Sequence, residues 1–202
     1  MRIGTTSCPG TGRHFRPALV TTALAIAVTL AIAGPASAGA GHIGSRNAST
    51  FAAQARHAGL TKAQAGQLQE SVNGYLDRFG GTQVSVNKIE IAGKGHILVA
   101  VPGEQYARDL SSLEPVRTQA ACPDEHFCMY RGTYYTGSQW NLYYCGTYTL
   151  SDWVGYGSYI NNQTPGTVSA LLNANFRLVS YSVAYQVNPV YDWNPIWYVV
   201  PC

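Results

Sequence analysis

The stretch Tyr130-Arg131-Gly132-Thr133-Tyr134-Tyr135-Thr136-Gly137 holds two aromatic residues with four positions between them, and a glycine two positions after the second. This spacing predicts a folded β-hairpin in which the ring of Tyr130 packs across the hairpin on the ring of Tyr135. Gly137 is expected to adopt a backbone angle that a side chain would oppose. Tyr130, Tyr135 and Gly137 therefore form the predicted fold motif of a β domain.

Cysteines flank this hairpin and follow it, at Cys122, Cys128, Cys145 and Cys202. An even number of cysteines in an exported chain indicates two disulfides rather than free thiols. Of the three possible connectivities we favour Cys122–Cys128, which closes a local loop, and Cys145–Cys202, which ties the last residue to the body of the domain. The cysteine spacing is unlike that of zinc ligands, so we expect no metal and no other cofactor.

The region 122–202 consists of short runs of β-branched and aromatic residues broken by Gly, Asn, Asp and Pro. This pattern favours a sandwich or Greek-key arrangement of short strands. The predicted strands are 127–130, 138–144, 167–172, 178–185 and 197–200. Because this C-terminal domain has only 81 residues, two disulfides would stabilise an otherwise marginal core.

The hairpin and its surroundings resemble a known family. The residues that carry the resemblance are the hairpin itself, Cys122-x5-Cys128 before it, and Gln139-Trp140, Cys145-Gly146-Thr147-Tyr148 and Asn161-Asn162-Gln163-Thr164 after it. Together they are similar to the bacterial secreted metalloproteinase-inhibitor family with a βγ-crystallin-like fold, over about residues 120–170. The resemblance implies a βγ-crystallin-like Greek-key sandwich and tight, non-covalent inhibition of thermolysin-like zinc metalloproteinases by a rigid surface loop.

The sequence departs from the calcium-binding members of the crystallin group. Their motif places hydroxyl residues after a pair of Asn or Asp, whereas Asn161-Asn162 is followed by Gln163-Thr164-Pro165-Gly166. Calcium also prefers carboxylate and carbonyl oxygens, and no acidic residue lies between Asp152 and Asp192. We therefore interpret Asn161-Asn162 as a turn or an Asn-capped loop rather than a calcium site. A second aromatic-x4-aromatic-x-Gly motif is absent after residue 170.

The inhibitory loop implied by the resemblance is assigned to the segment from Cys145 to Asp152. A cysteine anchors this segment, and Leu150 could offer an apolar side chain to the pocket of a metalloproteinase. The competing interpretation is an ordinary surface connection. The expected partner is an extracellular metalloproteinase, and the sequence indicates no oligomeric state.

Tyrosine is concentrated in the C-terminal domain, which carries 12 of the 14 tyrosines. Nine of them are too many for one small core, so some must be exposed: Tyr134, Tyr135, Tyr143, Tyr144, Tyr156, Tyr159, Tyr181, Tyr185 and Tyr191. Exposed tyrosines provide broad contact area at low entropic cost. An alternative function is therefore a non-catalytic extracellular module that binds glycan, cell wall or a protein partner through aromatic side chains.

The residues before the β domain form a separate region in the sequence. We expect a flexible or loosely helical segment over 39–59, a helix-plus-hairpin front module over 60–109, and a linker over 110–121. Thr61-x-x-Gln64 predicts a capping box, and an apolar stripe from Leu68 to Phe79 predicts a helix that ends at Gly80-Gly81. The alternation around Val84 and Val86 predicts a strand, followed by a second strand over 96–101. The module is either a pro-region packed on the β domain or a small accessory domain, and we favour the pro-region.

The N-terminus has the three parts of a secretory signal peptide. Arg2, Arg13 and Arg16 precede an uncharged apolar run over 18–33, and Ala36-Ser37-Ala38 supplies the cleavage box. The apolar run is shorter than the roughly 20 residues of a spanning helix. We therefore expect cleavage after Ala38, a secreted product, and no membrane segment after cleavage.

The charge and motif content argues against other classes of protein. Lysine is absent after residue 121 and the formal charge of +3 arises in the front half, which gives no support to nucleic-acid binding. Only His126, beside Asp124 and Glu125, could serve a catalytic triad in the β domain, and no phosphate loop, dinucleotide fingerprint or helical zinc motif occurs. The protein is therefore not expected to be an enzyme.

Overall fold

The computed structural model describes residues 38–111 and 120–202. Within these residues, two helices precede eleven strands, and a short 3-10 turn over Thr133–Tyr135 lies in the hairpin motif. The helices are α1 (Ala38–His57) and α2 (Lys62–Phe79). The strands are β1 (Thr82–Gln83), β2 (Lys88–Ile91), β3 (Gly95–Leu98), β4 (His126–Tyr130), β5 (Gln139–Leu142), β6 (Tyr148–Thr149), β7 (Tyr156–Asn162), β8 (Val168–Leu172), β9 (Leu178–Val183), β10 (Gln186–Asp192) and β11 (Tyr198–Val200). The predicted signal peptide lies outside the described residues except for Ala38, as do residues 112–119 of the predicted linker.

The strands form two antiparallel sheets. One has seven strands in the order β1-β2-β3-β5-β4-β7-β10, and the other has four in the order β6-β11-β8-β9. Asn161 of the larger sheet donates hydrogen bonds to Ser169 and Ser182 of the smaller one, and Trp140 meets Tyr148 across the interface with ring centroids 6.2 Å apart. The mainly β architecture with a small helical part at its N-terminal side, expected from the sequence, is confirmed.

The second helix begins and ends at the residues that the sequence indicates. The Thr61 side chain accepts from the Gln64 backbone N–H, and the Gln64 side chain accepts from the Thr61 backbone N–H, which completes the capping box. At the other end Gly80, with φ of 69°, donates its N–H to the Leu76 carbonyl. Leu68 and Val72 are buried in the core, so the helix packs its apolar face on the sheet.

The segment over 39–59, expected to be flexible or loosely helical, forms α1 over Ala38–His57. Its Gly, Ala and Ser content gives weak local preference for a helix, but Ala55 is buried and Phe51 packs on the core. Tertiary packing of one face stabilises such a helix more than propensity does.

The strand predicted around Val84 and Val86 is wrong, because residues 84–87 form a loop between β1 and β2. Val84 is exposed, whereas Ser85 and Asn87 are fully buried. The Asn87 amide donates to the carbonyls of Val99 and Arg108, so its hydrogen bonds replace those of a strand. Val86 is buried as well, so within residues 84–87 only Val84 is exposed and the burial does not alternate.

The front module (residues 60–109) and the C-terminal domain (residues 122–202) share one sheet. Strand β3 pairs with β5 in the register His96↔Asn141 and Ile97↔Trp140. The Phe79 ring at the end of α2 lies 4.6 Å from the Trp140 ring. The hydrophobic core therefore runs without interruption from the front module into the C-terminal domain.

In the C-terminal domain the five predicted strands appear as β4, β5, β8, β9 and β11, with shorter bounds except for β4, which begins one residue earlier than predicted, at His126. Strands β6, β7 and β10 were not predicted. Trp153 and Trp193, which follow acidic residues in the sequence, are each 1% exposed. Their rings therefore fill the core.

Candidate functional site

The loop between β5 and β6, over Tyr143–Thr147, is exposed along its whole length. A disulfide joins Cys145 in its middle to Cys202 at the end of the chain, with the two Cα atoms 5.0 Å apart. This is the connectivity favoured from the sequence. The crosslink holds the middle of the loop against the domain, which limits the conformations that the loop can adopt.

The far end of the same loop is fixed in the core. Tyr148 is 1% exposed, and its hydroxyl donates to the Tyr144 carbonyl at 2.7 Å. Burial raises the pKa of the Tyr148 phenol, so it remains a neutral donor at any physiological pH. The Tyr143–Thr147 loop is thus held at Cys145 by a covalent bond and at Tyr144 by a buried hydrogen bond.

Two aromatic side chains project from the loop. Tyr143 is 43% exposed and Tyr144 is 52% exposed, and their ring centroids lie 5.0 Å apart in an edge-to-face arrangement. The Tyr143 ring centroid also lies 4.9 Å from that of His126. Ring contacts of this kind stabilise the pair beyond its buried area, so the loop presents a supported aromatic surface.

A half-buried histidine lies next to this surface. His96 of β3 lies 6.4 Å from the His126 ring, and the Asn141 amide nitrogen lies 2.8 Å from His96 Nε2. In this geometry neutral Nε2 accepts from the amide N–H. Burial, with smaller contributions from Lys88 and His126, lowers the pKa of His96 to about 4.

The loop residues that the sequence indicated are placed differently from the expectation. Leu150 is only 5% exposed and packs in the hydrophobic core, and its N–H donates to the Trp197 carbonyl at 2.8 Å. The role suggested for Leu150, an apolar side chain offered to a protease pocket, is therefore wrong. Its burial depends on pairing with a segment distant in sequence.

Asp152 links the two regions of the chain. Its carboxylate lies 2.8 Å from the Arg78 guanidinium at the end of α2, and its carbonyl accepts from Arg131 at 2.8 Å. Both side chains of the Arg78–Asp152 pair are exposed, so the pair adds little stability by itself. The contacts of Asp152 with Arg78 and Arg131 are those expected of a residue in an ordinary surface connection.

The hairpin motif has the expected arrangement of rings. The Tyr130 and Tyr135 centroids lie 5.5 Å apart at an interplanar angle of 72°, and Gly137 has φ of 76°. Cys122 and Cys128 form the second disulfide, and Cys128 is fully buried in β4. The motif and this disulfide therefore lie together at the start of the domain.

The asparagine pair forms hydrogen bonds within the fold. Asn161 is fully buried and bonds across to the smaller sheet, while the Asn162 amide donates to the carbonyls of Cys122 and Pro123. Among the residues that the structure describes, no group of three His, Cys, Asp or Glu side chains is placed to hold a metal ion. The two asparagines are thus structural crosslinks.

The fold and the loop define a class: a disulfide-braced β protein that presents a short, fixed, uncharged loop. Comparison with known families adds that residues 116–180 match the model of peptidase inhibitor family I36. The predicted resemblance to a metalloproteinase-inhibitor family is confirmed over this part of the chain, which is less than half of its length. The family consists of inhibitors and is not catalytic. No curated protein and no solved structure matches the chain.

The sequence indicated the anchor of this loop but not its exposed residues. Cys145 was correctly placed in an exposed segment, yet Tyr143 and Tyr144 precede it and were included only in the general set of tyrosines. The signal that could have identified them is local: two adjacent aromatics immediately before a disulfide cysteine and a glycine, Tyr143-Tyr144-Cys145-Gly146.

Proposed function

We propose that this protein is a secreted inhibitor of thermolysin-like metalloproteinases that blocks the protease active site non-covalently with its Tyr143–Thr147 loop. The match of residues 116–180 to a peptidase inhibitor family supports a protease as the partner. The observation that carries the assignment to this loop is its double anchorage, by the Cys145–Cys202 disulfide and the Tyr148–Tyr144 hydrogen bond.

Preorganisation is the physical reason for choosing this loop. Ordering one backbone residue costs about 1–2 kcal/mol, and a loop that is already fixed before binding avoids most of that cost. Five residues therefore save on the order of 5–10 kcal/mol relative to a free peptide. A saving of this size separates a tight inhibitor from a segment that binds weakly as a substrate.

The chemistry of the loop also suits a non-covalent mode. The residues Tyr143-Tyr144-Cys145-Gly146-Thr147 carry no charge, so burying them against a protease desolvates no ion. Tyrosine is among the residues that contribute most to the energy of protein interfaces. With Leu150 buried, Tyr144 is the side chain on this loop best exposed to enter a pocket.

Secretion is part of the proposal. The predicted cleavage site follows Ala38, and two disulfides suit an oxidising, extracytoplasmic environment. Neither helix in the described part of the chain is long and apolar enough to cross a bilayer. The released form would begin at Gly39 and contain the whole of both sheets.

The test is a titration of thermolysin with the oxidised chain of residues 39–202 at a protease concentration well above the expected Kd. We expect activity to fall linearly and to reach zero near one equivalent, with the inhibitor recovered uncleaved by mass spectrometry. The control is the same chain reduced and alkylated, with reductant removed before the assay so that the protease zinc is unaffected. Full protease activity at a tenfold excess of the oxidised chain would contradict the proposal.

A further inference from the structure

The outer face of the four-stranded sheet is apolar along β8. Ser169 and Leu171 of this strand are fully buried, on the side that faces the larger sheet. Because successive side chains of a strand point to opposite faces, Val168, Ala170 and Leu172 lie on the outer side. All three are apolar, so β8 has apolar side chains on both faces.

The strands on either side of β8 continue this apolar row. Directly opposed residues of antiparallel strands lie on the same face of a sheet. In β9 the residues opposite the row are Leu178, Tyr181 and Val183, and β11 contributes Tyr198. The Phe176 ring stacks on Tyr198 with the centroids 4.0 Å apart. The three residues of β8 and these five, none of them charged, are called the outer apolar face.

Much of the outer apolar face is exposed. Its five most exposed residues, Val168, Phe176, Leu178, Tyr181 and Val183, are between 41% and 61% exposed. With about 150–250 Å² of surface on a large side chain, these fractions amount to roughly 400–700 Å². A contiguous apolar patch of this size is at the upper end of what soluble monomers expose and typically marks an interaction site.

The composition of this face is unusual for an antiparallel sheet, which normally carries polar residues on a face in water. Strand β2 of the larger sheet follows that rule, since Lys88 and Glu90 alternate with the buried Ile89 and Ile91. The outer apolar face breaks the rule over three adjacent strands. It therefore has the composition of a face that is covered by a partner.

The charge and polarity of the face decide which partner it fits. Lysine is absent after residue 121 and Arg177 is the one basic residue beyond Arg131, so the face lacks the basic rim of a surface that binds anionic lipid. Its polar side-chain groups are the hydroxyls of Tyr181 and Tyr198, which are few for a carbohydrate. An uncharged apolar face is instead complementary to itself, because two copies that meet bring no like charges together.

We propose that a second copy of this chain covers the outer apolar face, so that two copies form a dimer about a two-fold axis with their four-stranded sheets packed face to face. The exposed area agrees with this partner, since a stable interface takes about 800 Å² from each copy and the half-buried residues and the rim of the face add to the apolar area. Each copy uses its one such face, so the assembly closes at two.

The dimer is compatible with the proposed inhibitory loop. Strand β6, which follows the Tyr143–Thr147 loop, is the edge of the four-stranded sheet opposite to β9. A contact centred on β8 and β9 therefore leaves the loop of each copy accessible. The dimer would present two loops.

The test is sedimentation velocity of the oxidised chain of residues 39–202, from about 1 to about 100 µM, the range in which a modest apolar interface associates. We expect the mass to rise with concentration from one chain to two. Because the contact is apolar, added salt should not weaken it.

Two variants locate the contact. Tyr181→Lys places a charge in the face, and a two-fold dimer then buries two such charges, so we expect the dissociation constant to rise at least about tenfold. Val168→Lys repeats the change on β8. Since both residues are exposed, their unfolding midpoints should stay near that of the wild type. The matched control is Tyr156→Lys, at an exposed tyrosine of the larger sheet, and it should dimerise as the wild type does.

Four results would each overturn the proposal: a chain that stays monomeric up to about 100 µM, species larger than a dimer, unchanged dimerisation in both Tyr181→Lys and Val168→Lys, or an equal loss in Tyr156→Lys. For a monomeric chain, two assays identify the occupant of the face. Retention on phosphatidylcholine vesicles would assign it to a lipid surface, and weaker inhibition of thermolysin by Tyr181→Lys would assign it to the protease.

The sedimentation measurement contains no protease. A monomeric result therefore leaves the inhibitor proposal standing, and a failure of the protease titration leaves the dimer proposal standing.

Discussion

Removing the Cys145–Cys202 crosslink is predicted to destabilise the protein more than removing Cys122–Cys128. The two bonds differ in sequence separation, 57 residues against 6. A crosslink stabilises mainly by restricting the unfolded chain, and the restriction grows with the logarithm of the loop length. The chain-entropy relation gives about 4 kcal/mol for the long loop and about 2 kcal/mol for the short one.

The variants are chosen to leave the core intact. Cys145 and Cys202 are both exposed, so Cys145→Ala combined with Cys202→Ala removes the long crosslink without opening a cavity. Cys122→Ala removes the short crosslink at its half-buried end and leaves Cys128 as a buried thiol, which packs as a small apolar group.

Urea denaturation followed by tryptophan fluorescence measures both free energies of unfolding. With a slope of about 2 kcal/mol per molar urea, we expect the midpoint to fall by about 2 M for the long crosslink and about 1 M for the short one. Equal shifts, or a larger shift for Cys122→Ala, would refute the argument from loop length. The same variants should separate in the protease assay, because only the long crosslink anchors the Tyr143–Thr147 loop.

Three further predictions follow from contacts elsewhere in the fold. Phe79→Ala should lower the free energy of unfolding by about 2–3 kcal/mol, because the Phe79 ring packs on Trp140. Urea denaturation read by tryptophan fluorescence measures this change, and an unchanged unfolding transition would show that the front module does not share the core. Gly157→Ala should lower the free energy of unfolding by about 3 kcal/mol in the same measurement, since a Cβ at this position would overlap the Trp193 indole. A change within about 0.5 kcal/mol, the usual range for surface sites, would contradict this close packing. Burial lowers the pKa of His96 from the ordinary histidine value of 6.5 to about 4, so below pH 6.5 the unfolded chain takes up the proton first and stability falls as the pH drops towards 4. After allowance for the partial exposure of His96, the loss in the free energy of unfolding is on the order of 1–2 kcal/mol. His96→Gln should remove most of this pH dependence, and identical profiles of stability against pH for the two proteins would contradict the prediction.

Features set by local sequence were predictable. The capping box at Thr61 and the glycine at Gly80 act within one helical turn, and the helix between them has those ends. The hairpin motif is likewise local, since Tyr130 and Tyr135 meet across one turn.

Features set by distant contacts were not predictable in the same way. Strand β7 breaks the expected alternation because Ser158 and Asn161 are buried and satisfied by hydrogen bonds to Gly132 and Ser182. Strand β10 contains Pro189, a residue that argues against a strand except at an edge, and β10 is indeed the edge of its sheet.

The exposed tyrosines of the Tyr143–Thr147 loop were not singled out from the sequence for a related reason. In the sequence, Leu150 is an apolar residue that could be exposed to a partner. Its backbone hydrogen bond to Trp197, which is distant in sequence, places it in the core. Tyr143 and Tyr144 are aromatic residues of the kind that favours strands, so the sequence predicts that they continue β5, but β5 ends just before them at Leu142. Which of the many tyrosines remain exposed depends on the ends of strands, and these are set by long-range pairing.

The most direct test of the central claim compares two exposed tyrosines in the thermolysin titration. Tyr144 projects from the Tyr143–Thr147 loop at 52% exposure, and Tyr156 is 65% exposed at the start of β7. Removing an interface side chain of this kind costs about 2 kcal/mol or more, so Tyr144→Ala should raise the inhibition constant by at least about 30-fold. Tyr156→Ala should inhibit as the wild type does, and both variants should keep the wild-type unfolding midpoint. Wild-type inhibition by Tyr144→Ala, or an equal loss in both variants, would contradict the assignment of inhibition to this loop.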